Sequence, residues 1–194
     1  MFVYLAIMLF LPVAAMLTKS LTIGPAEFWR IATSPLALST YDVTFTTSLI
    51  AALIDGIFGL LIAWVLVRYD FPLKKLVDAS IDLPFALPTA VAGLTLATVY
   101  SEKGWIGSLL ASLGIKIAFT RLGVGIAMMF ISLPFVVRTV QPVLMQMEQE
   151  TEEAAWSMGA SSWQTFWRVL LPPLFPAVLT GVALGFSRAV GEYG

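Results

Sequence analysis

The sequence predicts an all-α protein that crosses a membrane about five times. Of its 194 residues, 59% are hydrophobic and only 12% are charged, and the mean hydropathy is +0.90. Soluble domains are about 45–50% apolar and about 25% charged. The apolar stretches approach the roughly 20 residues that a helix needs to cross about 30 Å of hydrocarbon. We therefore predict one polytopic transmembrane helical bundle over residues 1–194, interrupted by a polar-rich loop at 143–173.

The first apolar segment has two interpretations. A signal peptide would need a positive leader and a soluble domain after its cleavage site. More apolar sequence follows here, so we favour a first span. Residues 18–42 are predicted to form a mixed loop, broken at Gly24-Pro25 and Ser34-Pro35. The predicted spans are Phe2–Leu17, Thr44–Val67, Leu83–Tyr100, Leu122–Val137 and Leu174–Val190.

Two features stand out inside the predicted spans. Asp55 interrupts the second span, where a carboxylate is costly and indicates either a polar contact within the bundle or a functional pathway. We favour a structural or protonated role. Pro84 and Pro88 open the third span, and proline is tolerated near helix starts or in a broken membrane helix that its neighbours bury.

The loop at 143–173 is predicted to be a helix–turn–helix. Acidic residues from Glu148 onward crowd the start of the first helix, where they offset the positive end of its dipole. Gly159 fits a left-handed cap, and Ser161 with Gln164 forms a capping-box pattern for the second helix. Pro172-Pro173 is predicted to end that helix. Its predicted apolar face is Trp163, Phe166, Trp167 and Leu170, with Gln164, Thr165 and Arg168 outward.

Composition excludes several kinds of chemistry. Cysteine and histidine are both absent, which excludes disulfides, thiolate or imidazole metal sites and the corresponding nucleophiles. We predict no cofactor and no enzymatic activity of the chain itself. The net charge of -1 argues against a basic nucleic-acid binder. The sequence has no G-x-x-x-x-G-K-[ST] phosphate loop, so any ATP must be hydrolysed by another chain.

The spacing of Glu153-Ala154-Ala155, Gly159 and Val169-Leu-Leu-Pro172 resembles the "EAA" loop of ABC-importer permeases. In that family the loop is the cytoplasmic coupling helix, which docks into a groove of an ATP-hydrolysing subunit. The resemblance implies that Glu153 makes a polar contact and that Gly159 sets the turn. It further implies close approach at Ala154 and Ala155, with Pro172 at the end of the motif.

Four more stretches are similar to the sulfate/thiosulfate and molybdate/tungstate group of these permeases, most of all to the T-type sulfate subunit. They are residues 82–93, 104–107, 133–142 and 188–194. The resemblance implies a bacterial inner-membrane importer of sulfate or thiosulfate, with ATPase subunits, a second, W-type permease and a periplasmic sulfate-binding protein. Members of the group carry a basic leader and a sixth span, and we expect both to be missing from this sequence.

Several alternatives stay open. The cargo could be molybdate or tungstate. An ion-coupled anion transporter without an ATPase would need paired, inverted repeats and several ionisable residues within the membrane, and a non-transporting scaffold would not depend on an ATPase. Arg188 and Glu192 are four residues apart and therefore share a helix face, either along the pathway or as a structural ion pair. Basic residues divide evenly between the two predicted sides of the membrane, so charge does not fix the orientation.

Overall fold

The computed structural model describes residues 2–191, and helices are the only regular secondary structure in that range. The predicted all-α class is confirmed. In chain order the helices are α1 (Phe2–Ile23), α2 (Pro25–Ala32), α3 (Pro35–Arg68), α4 (Lys74–Ile81), α5 (Leu83–Ala86), α6 (Thr89–Val99), α7 (Gly107–Ala111), α8 (Arg121–Gln146), α9 (Gln149–Ser157), α10 (Ser162–Thr165) and α11 (Leu171–Val190), with a π-helical turn at Phe166–Leu170.

The chain up to residue 43 forms a compact unit of its own. Within it, α1 and α2 meet at an angle of 102° at Gly24, whose φ of 79° lies in the left-handed region. The predicted loop over residues 18–42 is wrong, because Pro25 and Pro35 each begin a helix rather than prevent one. Proline is favoured at the first helical position, where its missing N–H would have no partner anyway.

Within residues 2–191, three helices are long and apolar enough to cross a membrane, or four if the bent pair α1 and α2 is one span. They are α3, α8 and a continuous helical stretch over Ser162–Val190, which joins α10, the π-helical turn and α11. This count is lower than the predicted five. The difference arises mainly in the segment predicted as the third span.

That segment, Leu83–Tyr100, is not one helix. It divides into α5 and α6, with Leu87 between them in an extended conformation and Pro88 next to it. Proline disfavours helical geometry in the residue before it, which explains the break at Leu87. The remaining apolar helix α6 has 11 residues. At about 1.5 Å per residue it is too short to cross the hydrocarbon core alone.

The main core lies where α3, α8 and α11 pack together. The largest side chains that it buries completely are Leu144 and Leu174, from α8 and α11. Truncating either to alanine would remove apolar contacts and leave a cavity, at a cost of about 2–5 kcal/mol. The buried members of this core are Ala63, Leu66, Val136, Val137, Val140, Leu144 and Leu174.

Glycines let these helices approach closely. A Cβ on Gly59 of α3 would lie 2.7 Å from the side chain of Val136 in α8. A Cβ on Gly181 of α11 would lie 2.7 Å from the Cα of the same valine. Membrane helices lack a hydrophobic force between them, so small residues that allow close backbone packing provide much of their association.

Asp55 lies inside this packing, and its residue exposure is 1%. Its Oδ2 accepts a hydrogen bond from Ser132 Oγ of α8. The contact is a polar link between two spans. It agrees with the structural role that we favoured for this carboxylate from the sequence. Buried polar groups need such a partner because leaving one unpaired costs free energy.

Candidate functional site

The polar segment between the long spans folds as two short helices joined by a tight turn. The first, α9, has Glu150 and Glu152 in its first turn. Gly159, after its end, has φ of 87°. The amide of Gly159 donates to Trp156 O at 2.9 Å, and the next amide, of Ala160, donates to Ala155 O at 3.0 Å. The left-handed glycine predicted from the sequence is therefore present.

The second helix begins with the predicted capping box. Gln164 N donates to Ser161 Oγ at 3.3 Å, and Ser161 N donates to Gln164 Oε1 at 2.9 Å. The prediction that Pro172-Pro173 ends this helix is wrong, because Pro172 lies in the first turn of α11 and the helix continues to Val190. Each proline lacks an N–H and clashes with the carbonyl four residues earlier. The wider π-helical turn lies directly before them.

The predicted site residues divide between an outer and an inner face of the segment. Glu153, Ala154, Gly159 and Pro172 are exposed. Ala155 is 3% exposed and faces the chain's own interior, where α9 contacts α10 and the π-helical turn. The structure thus places four of the five residues on the surface and uses the fifth for internal packing.

The aromatic residues of the second helix also divide. Phe166 packs edge-on against Trp64 of α3, with ring centroids 6.1 Å apart. Trp163 and Trp167 remain 69% and 48% exposed. Thr165, predicted to face outward, is 1% exposed instead. A π-helical turn holds more residues than an α-helical turn, so a face assigned from 3.6-residue spacing shifts along it.

One buried contact in this region had no clear indication in the sequence. Arg68 Nη2, at the end of α3, forms an ion pair of 2.6 Å with Glu152 Oε1, and the two side chains are 10% and 11% exposed. Arg68 also donates to Met147 O at 3.3 Å and lies 5.8 Å from the ring centre of Trp64. The partners are distant in sequence, and Glu152 looks the same as its acidic neighbours.

A cavity of about 420 Å³ opens beside this ion pair. Its wall combines apolar aromatic surface with charged and hydroxyl groups, and it lies between the end of α3, α9 and the start of the second helix. It is lined by Trp64, Arg68, Tyr69, Glu152, Glu153, Trp156, Ser162, Thr165, Phe166 and Leu170.

A second polar cluster surrounds Arg138 of α8. Its guanidinium donates to both carboxylate oxygens of Asp82, at 2.9 and 2.7 Å, and to Asp78 Oδ1 at 2.7 Å. Gln141 accepts from Arg138 at 2.5 Å and donates to Asp78 at 3.1 Å. The hydrogen bonds from Arg138 and Gln141 hold the pKa of Asp78 below its ordinary value. This cluster fastens α4 and the start of α5 to α8.

The predicted pair of Arg188 and Glu192 is described only in part. Arg188 is half-buried in the last turn of α11. Glu192 lies outside the described residues.

Residues 55–194 match the family described as "Binding-protein-dependent transport system inner membrane component". The chain belongs to this family. It is therefore a multi-pass membrane permease component, and the family is one of transport components rather than enzymes, in agreement with the sequence-based prediction.

Curated relatives of this permease cover nearly the whole chain. The "Probable sulfate transport system permease protein cysT" of Chlorokybus atmophyticus is 65% identical over 191 residues, which are 98% of this chain and 67% of the relative. The "Sulfate transport system permease protein CysT" of Synechocystis sp. is 65% identical over 192 residues, with 99% and 67% covered. The protein of that name in Synechococcus elongatus is 63% identical, with 99% and 69% covered. The chain thus spans about two thirds of their length.

Proposed function

We propose that the chain is a membrane-spanning subunit of an ATP-driven importer of sulfate or thiosulfate. The observation that supports this substrate is its identity of 63–65% with proteins named sulfate transport permeases, across 98–99% of the chain. The predicted partners are ATPase subunits, a second permease of the W type and a periplasmic sulfate-binding protein. The proposed membrane is a bacterial inner membrane.

The proposed contact with the ATPase is the coupling loop, residues 143–173, on the cytoplasmic side. Exposed apolar side chains support this role, since Trp156, Met158 and Trp163 are 50%, 83% and 69% exposed beside the exposed carboxylate of Glu153. Large exposed apolar groups on a polar segment outside the spans are typical of an interaction site. Glu153 is the proposed polar contact, and Ala154 allows the groove wall to approach.

Transport in this proposal involves no chemistry on the anion. ATP binding closes the ATPase pair, which moves the docked loop, and the spans then rock between outward-open and inward-open arrangements. The two arrangements differ in free energy because ATP binds one form of the ATPase pair better. Arg188 and Glu192 are proposed either as pathway residues, where guanidinium would attract an oxyanion, or as a structural ion pair.

The test is uptake of radiolabelled sulfate in cells that lack their own permease, complemented with the full-length permease. Gly159→Asp places a side chain at a left-handed residue of the loop, and we expect uptake to fall about tenfold or more. Gly114→Asp is the matched control, because Gly114 has φ of 76° and open space around it but lies in the connector between α7 and α8.

Both variants must be measured at equal abundance in the membrane. Equal uptake by the two variants would exclude the loop as the coupling element. Inhibition of sulfate uptake by molybdate at low concentration would assign the cargo to the molybdate and tungstate class instead. Failure of an ATPase subunit to co-purify with the wild-type permease would favour an ion-coupled transporter or a scaffold.

A further inference from the structure

The ion pair between Arg68 and Glu152 joins two elements with different surroundings. Arg68 is the last residue of the long apolar helix α3, and Glu152 lies in the first turn of the polar helix α9. The charged atoms are 2.6 Å apart, and about nine-tenths of each side chain is buried. Among the described residues neither Glu152 Oε1 nor Arg68 Nε has a hydrogen-bond partner, so the contact between the two side chains is an electrostatic one. Separating it would leave each largely buried charge without its counter-charge.

Arg68 also contacts the segment that leads into α9. It donates to the carbonyl of Met147, the residue at the end of α8, and its guanidinium lies beside the Trp64 ring. The arginine therefore links the end of α3 to the end of α8 and to α9 at once. Such a three-way link restrains the orientation of α9 more than a contact with one residue would.

The rest of α9 packs toward a different part of the chain. Its helical contacts are with α10 and the π-helical turn, which continue directly into α11. Packing therefore connects α9 to the last span, whereas the ion pair connects it to α3. The acidic neighbours Glu150 and Glu153 are exposed. Of these acidic residues of α9, Glu152 is therefore the one whose displacement would act directly on α3.

We propose that Arg68 and Glu152 are positioning residues that transmit movement of α9 to the membrane span α3. The proposal rests on the proposed function, in which α9 belongs to the coupling loop. When the ATPase moves α9, the buried ion pair makes the end of α3 move together with α9. If α3 stayed in place, the two buried charges would be separated. α3 and α11 then follow the same movement through two different contacts.

The experiment uses the complete importer reconstituted in vesicles, with its ATPase, its second permease and its binding protein. The measured quantity is the number of sulfate ions transported per ATP hydrolysed. Glu152→Gln and Arg68→Gln remove one charge each, and Glu150→Gln is the matched control on the same helix. The double variant Arg68→Glu with Glu152→Arg restores an ion pair of reversed direction.

We expect each single variant to keep the ATPase bound and to lower the transport ratio about tenfold, within the range typical of coupling between sites. Glu150→Gln should match the wild type, and the double variant should recover most of the ratio lost by the single variants. A merely structural pair would lower the amount of assembled importer but leave the ratio unchanged.

Two results would overturn the proposal while leaving the proposed function intact. One is a ratio in Glu152→Gln equal to that in Glu150→Gln. The other is loss of ATPase binding in both single variants with a normal ratio in the fraction that assembles. Failure of the proposed function would be seen separately, as a wild-type importer that transports no sulfate or binds no ATPase.

Discussion

Arg68 and Arg138 both join a long helix to a short one, but their surroundings differ. Arg68 has one carboxylate partner and is 10% exposed, and its Nε has no hydrogen-bond partner in the described part of the chain. Arg138 is 30% exposed, pairs with two carboxylates and also donates to an amide oxygen. A charge with two counter-charges and access to water tolerates the loss of one of them, whereas a buried charge with a single counter-charge does not.

Of these two sites, the buried pair is expected to have the larger effect on stability. Glu152→Ala should lower the free energy of unfolding by about 3 kcal/mol, because it leaves the buried Arg68 charge with the Met147 carbonyl but without a counter-charge. Replacing both residues, with Arg68→Met and Glu152→Leu, should recover most of that loss since no charge remains. Thermal unfolding of the detergent-solubilised importer measures both, with Glu150→Ala as control. A double variant less stable than Glu152→Ala would contradict this explanation.

A smaller effect is expected at the partly exposed cluster around Arg138. Arg138→Ala should cost about 1–2 kcal/mol, because Asp78 and Asp82 lose charged hydrogen bonds but water can solvate their carboxylates. Asp82→Asn alone should cost less, since Asp78 still pairs with Arg138. The same unfolding measurement applies, with the exposed Arg168→Ala as control. If Arg138→Ala lost more stability than Glu152→Ala, the comparison between the two sites would be reversed.

The smallest effect is expected from the protonation of Asp78. Its pKa is lowered from an ordinary value of 3.8, mainly by the hydrogen bonds from Arg138 and Gln141. Its stabilising contribution is therefore fully present above pH 3.8 and is lost as the pH falls through the lowered value. The wild type should unfold at a slightly higher temperature than Asp78→Asn at neutral pH. That difference should disappear in strong acid. A constant difference at all pH values would argue against a stabilising role of the ionised Asp78 carboxylate.

The sequence predicts the parts of this fold that depend on neighbouring residues. Spacing and composition indicate α3, α8 and α11, the glycine cap at Gly159 and the capping box at Ser161. Each of these depends on apolar length or on residues no more than four positions apart. The family spacing from Glu153 through Gly159 to Pro172 is longer but lies within one continuous segment, which is why it can be recognised in a single sequence.

Contacts between distant segments could not be predicted in the same way. The partner of Arg68 is one of several similar acidic residues, and only the packing of α9 on the second helix turns Glu152 inward. Thr165 is buried directly before the π-helical turn, at a position that a regular helical period assigns to the outer face. The sequence did not decide whether the chain would break at Leu87 and Pro88. A proline at that position is compatible either with the start of a helix or with an interruption of one.

The π-helical turn at Phe166–Leu170 has a mechanical consequence. Ser162–Val190 is a continuous helical rod of 29 residues, about 43 Å long at 1.5 Å per residue. A tilt of about 5° at one end of a rod of this length would displace the other end by about 4 Å. The wide turn and the prolines after it, Pro172, Pro173 and Pro176, are the places where such a rod bends with least resistance. Bending is therefore expected close to the loop end of this helix. The longer part of the helix, which continues into the span, would move as one piece.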